Sequence, residues 1–301
     1  MIVDGGLGAE LAQRGFRFST ALWSGEAVLT CPELLVAIHR DYLAAGAEVI
    51  ETATYQLSHA ALRELGFSDA AIDDVFARAV QLARDAIAAH RAETGTPATH
   101  VVAAALGPFG ATAGDGSEYS GTQHLERDAL YAFHSERARS VARAKPDVFL
   151  FETIPSLGEG RVIAEVARDL GLERVWISFS CSDGTHTYGG DRVSDIAAML
   201  DTFARVEVVG VNCTAPDAIA PLVRLLKSAT AKPIMVCPNL GQQWESDSLA
   251  LAGGTTEAEF VRRIPEWIGL GVTHVGGCCG VSPNTIGAIS AVVAGGCAGA
   301  R

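Results

Sequence analysis

Short apolar runs and amphipathic helical faces alternate along this chain almost from its first residue. Eight mostly apolar runs, over 2–3, 48–55, 101–106, 147–153, 175–181, 206–213, 233–237 and 272–278, have the length and bounding residues of strands. Between them, apolar positions recur every three or four residues, the period of a helix with one buried face. Thr30-Cys31-Pro32-Glu33 has capping-box spacing with a proline in the first turn, and Leu34, Leu35, Ile38 and Tyr42 follow on one face, up to Gly46. Ser68 opens the next helix, with Ile72, Phe76, Val80 and Ile87 on its face. Further helical patterns carry Leu130, Phe133, Arg137 and Val141, then cover 157–170, 193–204, 215–227 and 256–269. Ser282-Pro283 reads as N-cap and first residue of a last helix bearing Ile286, Ile289 and Val293.

Strands that alternate with helices pair in parallel, and eight such units predict a closed (β/α)8 TIM barrel, one domain over 1–301. An open doubly wound sheet is the competing arrangement. The loop Asp4-Gly5-Gly6-Leu7-Gly8 lacks the spacing of a dinucleotide-binding fingerprint. Two connections are long: 107–127 after the third run and 238–254 after the seventh. Loops of that length are often functional, and the first, through Gly116-Ser117-Glu118-Tyr119, is expected to close over substrate on the donor side. A frayed tail is expected from Gly295.

With 49% hydrophobic residues in 301, the chain has ample material for a large core. A net charge of −12 argues against nucleic acid or an anionic membrane as partner, so small molecules are the expected ligands. No stretch reaches the roughly 20 apolar residues of a membrane span, and no secretory leader is evident. The seven cysteines are an odd number at irregular spacing, which predicts free thiols in a reducing compartment, the cytoplasm. Composition does not bear on oligomeric state.

In such a barrel function gathers where the strands end. Reading those ends gives Asp4, Glu51 to Tyr55, Gly107-Pro108-Phe109, Glu152-Thr153, Ser180-Cys181, Asn212-Cys213, Pro238-Asn239 and Cys278-Cys279. Cys213 ends the sixth run and the glycine-flanked Cys278-Cys279 ends the eighth, one strand away. Three thiolates with no fourth ligand describe a metal site open on one side, which suits Zn2+ best. Copper(I) fits the same soft ligands, and an iron–sulfur cluster would normally want a fourth thiolate. Cys31, Cys181, Cys237 and Cys297 are read as small hydrophobes. Asp4 and Glu152 are helix-capping acids on one reading and a grip for a substrate ammonium on the other. Trp23, Tyr55, Phe109, Tyr119 and Trp244 are candidates to surround a cationic group.

Asp4-Gly5-Gly6 with Glu10-Leu11, Phe151-Glu152-Thr153-Ile154-Pro155, Gly210-Val211-Asn212-Cys213 and Gly276-Gly277-Cys278-Cys279-Gly280 together resemble the homocysteine S-methyltransferase family, nearly end to end. The resemblance implies a (β/α)8 barrel, zinc held by Cys213, Cys278 and Cys279, and methyl transfer to homocysteine to give methionine. It also implies that Asp4 and Glu152 hold the homocysteine amino group. Asn212 is grouped with these substrate contacts, and Trp23 and Tyr55 resemble aromatics around the methyl donor. Pro238-Asn239-Leu240-Gly241 resembles a family segment whose preceding tyrosine is here Cys237. The length is that of the short members using S-methylmethionine and sometimes S-adenosylmethionine. Two rivals stand beside this reading: a non-catalytic thiol-metal binding module using the same three cysteines, and a phosphate-binding aldolase or isomerase barrel. The latter lacks a lysine at a strand end.

Overall fold

A computed structural model of the chain describes all residues except 96, 115, 120–125, 242, 246–249, 253 and 299–301. For 243–245, 250–252 and 296–298 it describes the backbone alone. The strands are β1 Val49–Glu51, β2 Val101–Leu106, β3 Val148–Ile154, β4 Val175–Phe179, β5 Val206–Asn212, β6 Ile234–Cys237, β7 Gln243–Glu245, β8 Ala250–Ala252 and β9 Val272–Val275. Seven of them form one parallel sheet in the order β1-β2-β3-β4-β5-β6-β9. β7 and β8 form a short antiparallel ribbon within what the sequence reads as the second long connection.

The first expected strand is reduced to two isolated bridges. Ile2 bridges to Val275 of β9 and Val3 to Val49 of β1, both parallel, so the chain's opening residues span the gap between the two sheet edges. The run is too short for a ladder because Asp4-Gly5-Gly6 turns away at once. The sheet is therefore seven-stranded and curled, with those bridges in place of the expected eighth strand.

Helices α1 Leu7–Gln13, α2 Glu26–Thr30, α3 Pro32–Ala44, α4 His59–Glu64, α5 Asp69–Thr94 and α6 Arg127–Arg143 cover the first half of the sheet. The second half is covered by α7 Leu157–Asp169, α8 Val193–Asp201, α9 Pro216–Ala229, α10 Glu257–Val261, α11 Ile264–Gly269 and α12 Pro283–Ala298. The faces read from periodicity are buried: Leu35, Ile38 and Tyr42 in α3, and Ile72, Phe76, Val80 and Ile87 in α5. Two expectations at helix ends fail. Cys31 is the N-cap of α3 without a side-chain cap, because Thr30 belongs to α2 and its hydroxyl donates back to the Glu26 carbonyl. The helix expected over 256–269 is broken in two, since Pro265 lacks an N–H and its ring excludes the carbonyl four residues back. A true capping box joins Thr256 and Glu259 at the start of α10.

Two packed layers follow from strand alternation. Val3, Val49, Val101, Ala103, Val148, Leu150, Trp176, Val208, Met235 and Cys237 fill the concave interior, while the alternate residues pack outward under the helices. No helix among the described residues is long and apolar enough to cross a membrane.

Candidate metal centre and acid cluster

The interior rows continue upward past the apolar layer, and there their chemistry changes. Two residues beyond Val49 is Glu51, two beyond Leu150 is Glu152, and Asn212 lies four beyond Val208 through Gly210. Met235 and Cys237 are the corresponding pair on β6. The carboxyl ends of the strands thus present carboxylates, an amide and thiols to one mouth.

The three predicted metal ligands meet there. Cys213, Cys278 and Cys279 place their sulfurs within 4.8 Å of one another. Cys213 and Cys278 are joined as a disulfide, with Cα atoms 5.4 Å apart. That departs from the expectation of seven free thiols, while Cys31, Cys181, Cys237 and Cys279 are free. The side chains of Cys297 and Trp244 lie outside the described residues, as do 299–301 of the expected tail and 115, 120–125, 242, 246–249 and 253 of the two long connections, while α12 carries the tail's first part, 295–298, as helix rather than a frayed end. Cys213 Sγ lies 3.7 Å from Cys279 Sγ. Two thiolates bound tetrahedrally at about 2.3 Å from one zinc would stand about 3.8 Å apart. The donor set and its spacing therefore fit such an ion once the disulfide is reduced.

Backbone constraints hold the sulfurs in place. Cys213 has φ +45° and Thr153 φ +60°, left-handed conformations that cost a side-chain-bearing residue about 1–3 kcal/mol each. The Cys213 amide donates to the Cys237 carbonyl at 3.0 Å, and the Cys278 amide to the Pro238 carbonyl at 2.9 Å. The Gly277 amide donates to the Asp4 carbonyl at 3.0 Å, tying the cysteine pair to the first acid. Gly276 is required by close approach: a Cβ there would lie 2.6 Å from the Val3 carbonyl oxygen. Left-handed freedom is used one turn later, at Gly280, with φ +81°.

Asp4, Glu51 and Glu152 converge beside this centre. Burial pushes all three carboxyls above the ordinary carboxylate range, and Glu152 repels the other two. Asp4 Oδ2 accepts from the Glu51 amide at 3.0 Å, whereas Asp4 Oδ1 is buried without a partner among the described residues. Cys237 lies in the field of all three acids; burial first, then that field, pushes its thiol up.

Asn212 is engaged on every side. Its Nδ2 donates to Glu152 Oε2 at 3.0 Å and to Thr153 Oγ1 at 2.8 Å. Its Oδ1 accepts from the Thr153 amide and from Ser178 Oγ, both at 2.8 Å. An amide has two donors and two acceptor sites, so this one is fully used within the protein.

The aromatics divide. Tyr119 donates its hydroxyl to Cys213 Sγ at 3.3 Å and packs edge-on against Tyr188, centroids 5.6 Å apart. Tyr55 lies within the influence of Thr153, Glu118, Glu152 and Cys279. Trp23 is placed differently, stacked on Phe18 with centroids 4.6 Å apart and its indole nitrogen beside Gly114. Phe109 packs edge-on against Phe133 of α6.

Two supports were not singled out from sequence. Arg137, fully buried, donates to the carbonyls of Leu57 at 2.8 Å, Gly107 at 2.7 Å, Thr54 at 3.2 Å and Tyr55 at 2.5 Å. It fastens the Tyr55 loop to the start of the 107–127 connection. Glu159 Oε1 accepts from the Phe109 amide and bonds His134 Nε2, each at 2.8 Å. The available signal for Arg137 was a cation on an otherwise apolar helical face.

At the strand ends of a curled parallel α/β sheet, a three-sulfur cluster that could hold a metal ion thus lies beside three buried acids. Comparison with known proteins identifies the family. The homocysteine S-methyltransferase family profile matches residues 1–293. Homocysteine S-methyltransferase 4 of Zea mays is 39% identical over 97% of this chain and 89% of its own. Selenocysteine methyltransferase of Astragalus bisulcatus is 31% identical over 98% and 93%. The homocysteine methyltransferase MmuM of Escherichia coli, solved in a metallated form, superposes with a TM-score of 0.86 at 32% identity, covering 97% of this chain and 96% of its own. Its oxidized form superposes with a TM-score of 0.88. The chain belongs to the homocysteine S-methyltransferase family, and it is a methyltransferase acting on homocysteine.

Proposed function

We propose that the enzyme transfers a methyl group from a sulfonium donor, S-methylmethionine foremost and S-adenosylmethionine second, to the thiolate of homocysteine at a zinc site, on a single (β/α)8 barrel domain. One observation carries this reading: three sulfurs within 4.8 Å of one another share a mouth with three buried carboxylates. Cys213, Cys278 and Cys279 would hold the ion and leave its fourth position for the acceptor. A free thiol is mostly protonated at neutral pH; zinc, when bound, would keep the acceptor sulfur deprotonated, and the three-thiolate shell would leave it nucleophilic.

The protein's own residues orient the two substrates. Asp4 and Glu152 receive the acceptor ammonium, whose charge relieves the cost of burying them. Asn212 positions Glu152 and supports the strained Thr153 rather than taking up substrate, since its hydrogen-bonding capacity is spent. Tyr55 and Tyr119 face the sulfurs and flank the donor's sulfonium, with Trp23 further out beside Gly114. The acceptor sulfur forms a bond to the methyl carbon as the donor's sulfur–methyl bond breaks, and its electron pair leaves with a neutral thioether. No general base acts in that step; alignment is the main contribution.

The test is a donor panel of S-methylmethionine, S-adenosylmethionine and betaine with homocysteine, following methionine by mass. Selenocysteine is added as a second acceptor because a relative is named for it. Turnover with S-methylmethionine, lost on chelation and restored by zinc, is the expected outcome. Unchanged activity after complete metal loss would sink the zinc assignment.

A further inference from the structure

The acid cluster contains one carboxylate more than the function just proposed requires. Glu51 ends β1, two residues past Val49, which lines the interior, and so faces the same mouth. Its carboxylate accepts no hydrogen bond from the described residues, although its own amide donates to Asp4 Oδ2. Glu51, Asp4 and Glu152 repel one another, and Cys237 lies within the field of all three. Asp4 is 3% exposed and its Oδ1 has no partner among the described residues. Glu152 spends Oε2 on Asn212, and no described residue bonds its Oε1.

Three neighbouring carboxylates have a natural counterpart. A primary ammonium carries three N–H donors, each able to serve a different acceptor. Two carboxylates leave the third donor to water; a third carboxylate takes it up and adds a third attractive charge. We infer that Glu51 is a specificity residue, the third leg of a carboxylate tripod that reads the primary ammonium of the acceptor amino acid. The inference rests on the acceptor assignment made above, and it adds what that assignment lacks: a reason for the enzyme to prefer amino-acid thiols over thiols without an ammonium.

The experiment compares the zinc-loaded wild-type enzyme with Glu51→Ala and with Glu51→Gln, which keeps the side chain's volume. Acceptors are homocysteine and its des-amino analogue γ-mercaptobutyrate, with S-methylmethionine as donor, and homocysteine binding is also measured by calorimetry. One charge-assisted hydrogen bond corresponds to about a ten- to hundredfold change in binding. In Glu51→Ala, the preference for homocysteine over γ-mercaptobutyrate should fall by about that factor, read in KM and matched by the calorimetric affinity. Glu51→Gln should lose less, because it keeps one acceptor oxygen. A preference that stays at the wild-type value in both variants overturns the proposal. So does an equal loss with both acceptors, which would mark a structural role. A wild-type enzyme without preference for homocysteine over γ-mercaptobutyrate would overturn the acceptor reading itself, Asp4 and Glu152 included, and thus separates the two failures.

Discussion

Asn212 Nδ2 donates to Glu152 Oε2 at 3.0 Å, and the residue that follows Asn212 in the chain is the proposed metal ligand Cys213. One amide thereby couples the acid that would grip the substrate's amino end to the sulfur that would help hold its thiol end. The same side chain braces Thr153, the other strand-end residue with positive φ near the centre. Replacing Asn212 with Ala should leave Glu152 and the Thr153 amide without partners, at about 1–3 kcal/mol for each buried group left unsatisfied. The expected result is a lower melting temperature together with a rise in homocysteine KM. A variant with wild-type KM would break the link between Asn212 and the acid.

The cysteine pair makes a sharper demand. Cys278→Ala removes one of three ligands and should release zinc and abolish transfer while the far-ultraviolet circular dichroism stays that of the wild type. The apolar core does not depend on these sulfurs, since it lies beneath them. Metal content by mass spectrometry decides the matter, and one zinc per chain retained in Cys278→Ala would refute the ligand assignment.

Because Cys213 and Cys278 are bonded to each other, they cannot both act as thiolate ligands until two electrons and their protons are supplied. The oxidised protein should therefore take up little zinc. Treatment with a phosphine reductant should expose two further thiols and allow about one zinc per chain to bind. Thiol titration alongside zinc analysis checks this, and stoichiometric uptake without reductant would contradict it.

Much of this was legible beforehand, for identifiable reasons. Strand alternation and the helical period place Leu35, Phe76 and Val148 in the core because burial is what creates those patterns. Strand ends place Cys213 with Cys278 and Cys279 because parallel strands end on one side. What escaped was set by particular contacts in space. Ile2–Val3 has a strand's composition but only two residues before the turn, so it makes bridges alone. Glu51 was one of several strand-end residues in the sequence, and its place beside Asp4 and Glu152 emerges only in space. The fully used hydrogen bonds of Asn212 cannot be read from a motif.

Arg137 illustrates the same limit and yields a further expectation. A fully buried guanidinium whose hydrogen bonds to the described residues include no carboxylate is costly, and burial lowers its pKa to about 10. Four carbonyls offset that cost, and Phe133 lies 4.8 Å from the guanidinium carbon. Arg137→Met keeps the bulk but strands those carbonyls, so it should destabilise the fold by about 1–3 kcal/mol for each buried carbonyl left unsatisfied. Because the clamp holds the Tyr55 loop, donor KM should rise more than acceptor KM in the folded fraction. Equal changes in both would remove the clamp's connection to the donor side.

The last expectation concerns acid stability and involves no site residue. His39 lies in α3, fully buried, with neither ring nitrogen partnered among the described residues. Burial lowers its pKa from 6.5 to about 4, so the folded protein holds the ring neutral where the unfolded chain would protonate it. The unfolded state then binds more protons between those two values, and stability falls as pH drops from about 6.5 toward 4. A drop of that size is worth about 3 kcal/mol when fully expressed. His39→Leu removes the titrating ring and fills the same apolar space, so its advantage over wild type should grow as the pH is lowered through that window. Denaturant melts of both proteins at several pH values test this. A stability difference that stays constant with pH would show that the imidazole titrates alike in the folded and unfolded chain.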